Sequence, residues 1–120
     1  MNFNDFYWHD AVITSIAIDR SKPGIKDTIL FNIEFPDEGK VDFIFEEVYW
    51  AKMSLNFGIV AQECILSAFT AERDDKDFVR ISSKWEKFVD RIKLYCYVIN
   101  LNSTGGEIKI VAKGFSVVYK

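Results

Sequence analysis

Two runs of alternating apolar and polar residues, joined by a short turn, constrain the fold of this chain more than any other feature. The apolar positions of the two runs are Ile29, Phe31, Ile33, Phe35, Val41, Phe43 and Phe45. Segment 36–40, PDEGK, separates them and contains both Pro and Gly. A period of two marks a half-buried strand, and a short Pro/Gly connection is typical of a hairpin. The sequence therefore predicts an antiparallel β-hairpin with a buried aromatic face.

A second strand is predicted upstream, within the stretch Phe6–Arg20. Its apolar run, Ala11–Ile18, carries apolar side chains on both faces. Such a strand is usually central in a sheet or covered on both sides. We expect the run to be a central strand, ended by Asp19 and Arg20, onto which the aromatic hairpin packs.

The middle of the chain is ambiguous. After Glu47 the alternation loosens, which fits either a strand continuing past a bulge or a helical turn. Residues 59–71 form an apolar run that fits a buried strand or a helix, and we favour a strand at about Cys64–Ala71. Ser83–Glu86 matches a capping box, which predicts a short helix from this point, although the same spacing also fits a start at Phe78. The apolar stripe of this helix is Trp85, Phe88, Val89 and Ile92.

The carboxyl-terminal part is predicted to be another hairpin, formed by Lys93–Leu101 and Glu107–Tyr119 around the turn 102–106. In its last strand the apolar side chains change from even to odd positions at Lys113-Gly114. A shift of one residue turns every following side chain to the other face, so this strand needs a bulge or a bend at Gly114. A bend would let one strand serve two sheets.

Length and composition complete the prediction of the fold. The chain has 120 residues with 11 Phe, 5 Tyr and 3 Trp, enough for one domain, 1–120, with a large aromatic core. We predict a mainly β (α+β) fold of about six to eight antiparallel strands, arranged as a β-sandwich or half-open barrel with one short helix.

Several classes of function and location are disfavoured. The net charge is −3 and Lys and Arg are not clustered, so a nucleic-acid partner is not expected. The amino terminus lacks the features of a signal peptide, and no apolar run reaches the length of a membrane span. We therefore expect a cytoplasmic protein with no membrane association, in which Cys64 and Cys96 are reduced. No metal or cofactor is expected from two isolated cysteines and one histidine.

The only histidine gives one candidate site. His9 next to Asp10 invites a catalytic interpretation, in which the carboxylate orients an imidazole base. Neighbours in a strand point to opposite faces, and no nucleophile motif accompanies the pair, so an enzyme is not expected. The alternatives are that both residues satisfy backbone groups at the start of a strand, or that Trp8, His9 and Asp10 form a recognition site.

Acidic residues give a second candidate. Those on or near the outward face of the aromatic hairpin are Glu34, Asp37, Glu38, Asp42, Glu46 and Glu47. They are interpreted as a solvated face that discourages edge pairing, or as a surface that docks a basic protein. The candidate binding residues of this region are Glu46, Glu47 and Trp50.

Two short motifs carry a resemblance. The first is Trp8-His9-Asp10-Ala11 before the apolar strand, and the second is GEIKIVA at 106–112. In these segments the chain resembles a group of small bacterial single-domain proteins, most of them uncharacterised. Some of that group are assigned as immunity proteins that neutralise a cognate secreted toxin. The resemblance implies a toxin-like protein partner and assigns no site residue.

These observations favour a non-catalytic protein-binding domain with a basic partner, and the resemblance implies that its role is immunity-like. The alternatives are a small-ligand carrier whose aromatic barrel encloses a cavity, and an enzyme that uses His9 with nearby carboxylates. The first predicts an exposed patch, the second a large internal pocket, and the third a cleft that joins His9 to at least two acids. The oligomeric state stays open.

Overall fold

The aromatic hairpin and the strands around it form one antiparallel sheet. The computed structural model describes residues 1–86 and 92–120. The elements in chain order are a 3₁₀ turn at Phe3–Asp5, β1 at Val12–Lys22, β2 at Lys26–Phe35, β3 at Gly39–Ser54, β4 at Glu63–Thr70, α1 at Lys76–Glu86, β5 at Tyr95–Leu101 and β6 at Glu107–Tyr119. The predicted mainly β antiparallel fold with one short helix is confirmed.

The six strands follow the order β1-β2-β3-β6-β5-β4 and close into a barrel. Closure depends on a short contact, in which Val12 pairs with Cys64 and Ile13 with Glu63. Beyond it, the amide of Ile65 donates to the carbonyl of Ala11 at 2.8 Å. The strand favoured within residues 59–71 is thus confirmed as β4, the strand that closes the ring.

The interior is packed with aromatic rings from the strands and from the amino-terminal segment. The hairpin residues Phe31, Phe43 and Phe45 are fully buried. Phe3 enters the same cluster, with its ring centroid 4.6 Å from that of Trp8 and 4.7 Å from that of Tyr97. Residues before β1 therefore fill one end of the barrel.

Helix α1 covers part of the outer surface of the sheet. Phe78 and Ile81 pack there in a second buried cluster with Cys96, Val98 and Val111. Burial raises the pKa of the Cys96 thiol to about 11, which keeps it protonated and unreactive at neutral pH.

The helix starts earlier than the capping box at Ser83 predicts. Its first residue is Lys76, and the side chain of Asp75 accepts a hydrogen bond from the amide of Phe78 at 3.1 Å. Asp75 is therefore the N-cap. Ser83 lies inside the helix, and the alternative start near Phe78 was the better interpretation. The predicted stripe positions Phe88 and Val89 lie outside the described residues.

Strand β1 lies between β2 and β4 in the ring, as expected for a central strand, but most of its length is flanked on one side only. It runs to Lys22 rather than ending at Asp19, and pairs with β2 along its length but with β4 only near Val12. Ala17 and Ile18 are exposed, and the exposed fraction of Ile18 is 58%. The far half of the β1–β2 hairpin extends beyond the closed part of the barrel, which leaves Ile18 and Ile25 exposed.

The change of phase in β6 is accommodated inside one barrel. Ile108 and Ile110, before Gly114, and Phe115 and Val117, after it, all pack on the same interior cluster. On the partner strand β3, Glu47 has a positive φ of 49°. In both strands the side chains that point into the barrel thus change from one alternate set to the other at the same place. Strand β6 does not cross to a second sheet.

The described helix is not long and apolar enough to cross a membrane.

Candidate functional site

A groove opens where β2 and β3 separate. Their pairing ends at Ile29 and Phe45, although β3 continues to Ser54. Just beyond that point β3 has a left-handed residue, Glu47, and a register shift against β6 between Val48 and Trp50. Such irregularities bend a strand and increase its twist, and here they accompany the separation of the two strands.

Three parts of the chain form the walls of this groove, which has a volume of about 600 Å³. The protruding end of the β1–β2 hairpin lies on one side, and residues 47–51 of β3 lie on the other. Trp85, near the end of α1, completes the wall. We call this space the β2–β3 groove.

One wall of the groove is aromatic. The rings of Tyr49 and Trp85 meet edge to face with their centroids 4.9 Å apart. Trp50 lies beside them, and the guanidinium carbon of Arg80 is 5.4 Å from the centroid of the Trp50 ring. Rigid, amphipathic rings of this kind supply much of the energy at protein interfaces.

The opposite wall carries an acid with unused hydrogen-bonding capacity. The Oδ2 atom of Asp27 accepts a hydrogen bond from the amide of Gly24 at 3.0 Å. Its Oδ1 atom is buried and has no hydrogen-bond partner among the described residues. A buried carboxylate oxygen without a donor is costly, so this atom favours a ligand that brings a donor, most strongly a cation.

The other acids of the groove already have partners. Asp19 accepts hydrogen bonds from Ser21, which lower the pKa of its carboxyl, and its Oδ2 atom is 3.8 Å from the Lys26 ammonium. The Glu47 carboxylate is 3.2 Å from the Lys113 ammonium. Asp27 differs from both because its oxygen without a donor is buried.

The three amino-terminal candidates, Trp8, His9 and Asp10, lie in different environments. Trp8 is only 4% exposed, and its indole N–H donates to the Phe3 carbonyl at 2.7 Å, so it belongs to the core rather than to a surface. His9 and Asp10 are exposed, with His9 Nε2 3.6 Å from the Asp10 carboxylate. The expectation that strand geometry separates them was wrong, because they lie in a turn and Asp10 has a positive φ of 67°.

His9 nevertheless has a structural contact. Its Nδ1 atom lies 3.1 Å from the carbonyl oxygen of Leu66, next to the point where β1 meets β4. His9 lines neither the β2–β3 groove nor the second recess described below. Neither set of lining residues therefore contains the cleft that was predicted for an enzyme, in which His9 lies beside at least two acids.

The candidates on β3 come closer to the groove. Glu47 and Trp50 both line it, whereas Glu46 does not. Asp27, Tyr49 and Trp85 were missed as site residues, because nothing local in the sequence distinguishes them from other strand and helix positions. The loss of alternation after Glu47 was the available signal, since it marks the place where β3 leaves β2.

A second recess of about 750 Å³ lies at the end of the barrel that is filled by the amino-terminal segment. It is lined in part by Tyr95, Tyr97 and Phe115. Burial raises the pKa of the Tyr97 hydroxyl to about 12, so this group stays neutral. Phe3 lines the recess as well, and its ring centroid lies 4.7 Å from that of Tyr97 and 5.7 Å from that of Phe115.

In the parts of the chain that are described, no group of three or more His, Cys, Asp or Glu side chains is placed to hold a metal ion. No protein-family model matches the chain, and no curated protein matches it either.

Proposed function

We propose that this protein is a non-catalytic, cytoplasmic protein-binding domain, immunity-like in its role, which holds a basic segment of a partner protein in the β2–β3 groove. The observation that carries the proposal is the buried Oδ1 atom of Asp27, which has no donor among the described residues, in a residue that lines the same groove as Tyr49, Trp50 and Trp85. A Lys or Arg side chain satisfies such an oxygen with a charge-assisted hydrogen bond.

The aromatic wall supports the same kind of partner. Tyr49, Trp50 and Trp85 offer apolar area at a small entropy cost, and the stem of a Lys or Arg packs well on such rings. Arg80 already lies over Trp50 in this way. A groove with an acid on one side and rings on the other thus suits a long cationic side chain better than an apolar one.

The test uses short fluorescent peptides of matched length, one rich in Arg and one rich in Glu, titrated into the intact protein. The proposal predicts measurable binding of the Arg-rich peptide only. Asp27→Asn and Trp50→Ala should each weaken that binding by about fivefold or more, which corresponds to the loss of about 1 kcal/mol.

Glu34→Gln is the matched control, because Glu34 is an exposed acid of β2 outside the groove. Binding of the Arg-rich peptide that falls equally in Glu34→Gln and Asp27→Asn would indicate a general charge effect and would contradict the proposal. Equal binding of both peptides by the unmodified protein would contradict it as well.

A further inference from the structure

One edge of β3 is left without a partner strand. From Glu46 to Ser54 this strand pairs with β6, whereas its pairing with β2 stops at Phe45. Among the described residues, no strand lies along the other edge of this segment. Alternate backbone N–H and C=O groups of an antiparallel strand point to each side, so an unpaired edge offers a row of donors and acceptors.

The opposite side of the groove also ends in a strand edge. Lys26–Thr28 of β2 pairs with β1 only, because the ladder with β3 begins at Ile29. Thr28 and Ile29 line the groove on this side, and Glu47–Ala51 line it on the other. The β2–β3 groove is thus a gap in the sheet with a strand edge on each side.

We infer that the partner enters this gap as an extended segment that adds a strand to the free edge of β3, with a Lys or Arg side chain directed at Asp27. This inference rests on the proposed function and names the shape and chemistry of the bound segment. Main-chain hydrogen bonds to an edge supply affinity in such complexes, and pockets for alternate side chains supply specificity.

An extended segment fits the groove better than a helix. A helix in a groove forms its backbone hydrogen bonds internally, so it has no use for a strand edge and needs a continuous apolar floor. Here the walls combine strand edges with Asp27 on one side and rings on the other. In an extended segment successive side chains point to opposite faces, so one residue can reach the acid while its neighbours face away.

The test starts from a random peptide library displayed on phage and selected on the intact protein, with selection repeated on Asp27→Asn. We expect selected peptides to share a Lys or Arg flanked by β-branched residues, and to lose that preference on the variant. One selected peptide is then synthesised in two forms, N-methylated at either the odd or the even backbone nitrogens. Strand addition predicts that one form loses about tenfold or more in affinity while the other binds nearly normally.

Amide hydrogen exchange gives an independent measurement. Binding of the unmethylated peptide should slow exchange at amides within 46–54 of β3, while amides of β5, whose edges are both paired, change little. The amides whose exchange slows thereby show where the peptide binds.

Failure of strand addition and failure of the proposed function would give different results. Peptides that depend on Asp27 and Trp50 but tolerate both methylation patterns, with no slowing at 46–54, would overturn strand addition and leave the proposed function standing. A selection that yields no peptide dependent on these two residues would overturn both.

Discussion

Lys109 of β6 donates hydrogen bonds to both carboxylate oxygens of Asp75, at 2.8 and 3.0 Å, and to a carboxylate oxygen of Asp77 at 3.0 Å. Asp75 is also the N-cap of α1, because it accepts a hydrogen bond from the amide of Phe78. One ammonium group therefore ties the start of the helix to the sheet. Burial opposes the charge of Lys109, but the hydrogen bonds to the two aspartates outweigh it and raise the pKa of this side chain.

Replacing Lys109 with Met should destabilise the protein by about 2 kcal/mol, because two partly buried carboxylates then lose their shared donor. The lysine side chain is only 12% exposed, so water replaces it poorly. Urea unfolding at neutral pH measures the change. Lys113→Met is the control, since Lys113 and Glu47 form an exposed pair and its loss should cost less than about 0.5 kcal/mol. Equal costs for the two variants would show that Lys109 contributes no more than a surface charge.

The same cluster predicts acid sensitivity. Hydrogen bonds from Lys109 are the main cause that lowers the pKa of both Asp75 and Asp77 in the folded protein. A carboxyl whose folded pKa is depressed stabilises the fold above its unfolded pKa of about 3.9, and this contribution disappears as the pH falls through the folded value. Asp75→Asn keeps a good N-cap but does not titrate.

Urea unfolding of the unmodified protein and Asp75→Asn should therefore show the largest difference in stability near neutral pH. The difference should shrink steadily below about pH 4, where the unfolded carboxyl binds its proton first. A difference that is constant down to about pH 2 would mean that the charge of Asp75 is not what stabilises the fold.

The elements that the sequence predicted well are those whose pattern is local. Alternation from Ile29 to Phe45 specifies the hairpin, because each side chain is assigned to a face by its neighbours alone. The sequence did not decide between a start of α1 at Ser83 and one near Phe78, because Asp75 is a cap only once the chain after it turns into a helix, and its partner Lys109 is distant in sequence. Local patterns do not encode such long-range pairs.

The candidate site was predicted only in part, for the same physical reason. Glu47 and Trp50 stood out by charge and size, and both line the β2–β3 groove. Asp27 became a candidate only when the end of the β2–β3 ladder at Ile29 was known, since the unsatisfied oxygen is a property of its surroundings. Trp8 was a candidate by composition and proved to be a core residue.

Two glycines, Gly106 at the end of the 102–106 turn and Gly114 within β6, offer a matched pair of variants. A Cβ atom at Gly106 would collide with the backbone carbonyl oxygen of Ser54, whereas one at Gly114 would meet nothing within 4 Å. Gly106→Ala should therefore cost about 1–3 kcal/mol, because a backbone atom must move. Gly114→Ala should be neutral or slightly stabilising. Thermal unfolding compares the two, and a larger loss for Gly114→Ala would contradict the close approach of the β5–β6 turn to the end of β3.

The segment before β1 provides the last prediction, because the Phe3 side chain that it contributes lies inside the barrel. Phe3 is 2% exposed, packs on Trp8 and Tyr97, and accepts the Trp8 indole hydrogen bond through its carbonyl. Phe3→Ala removes a large buried ring and should cost about 3–5 kcal/mol in the free energy of unfolding by urea. Tyr7→Ala is the control in the same segment, since Tyr7 is 55% exposed and its loss should cost less than about 1 kcal/mol. If Phe3→Ala were as mild as Tyr7→Ala, the segment before β1 would be only loosely attached, and the strands alone would hold the barrel together.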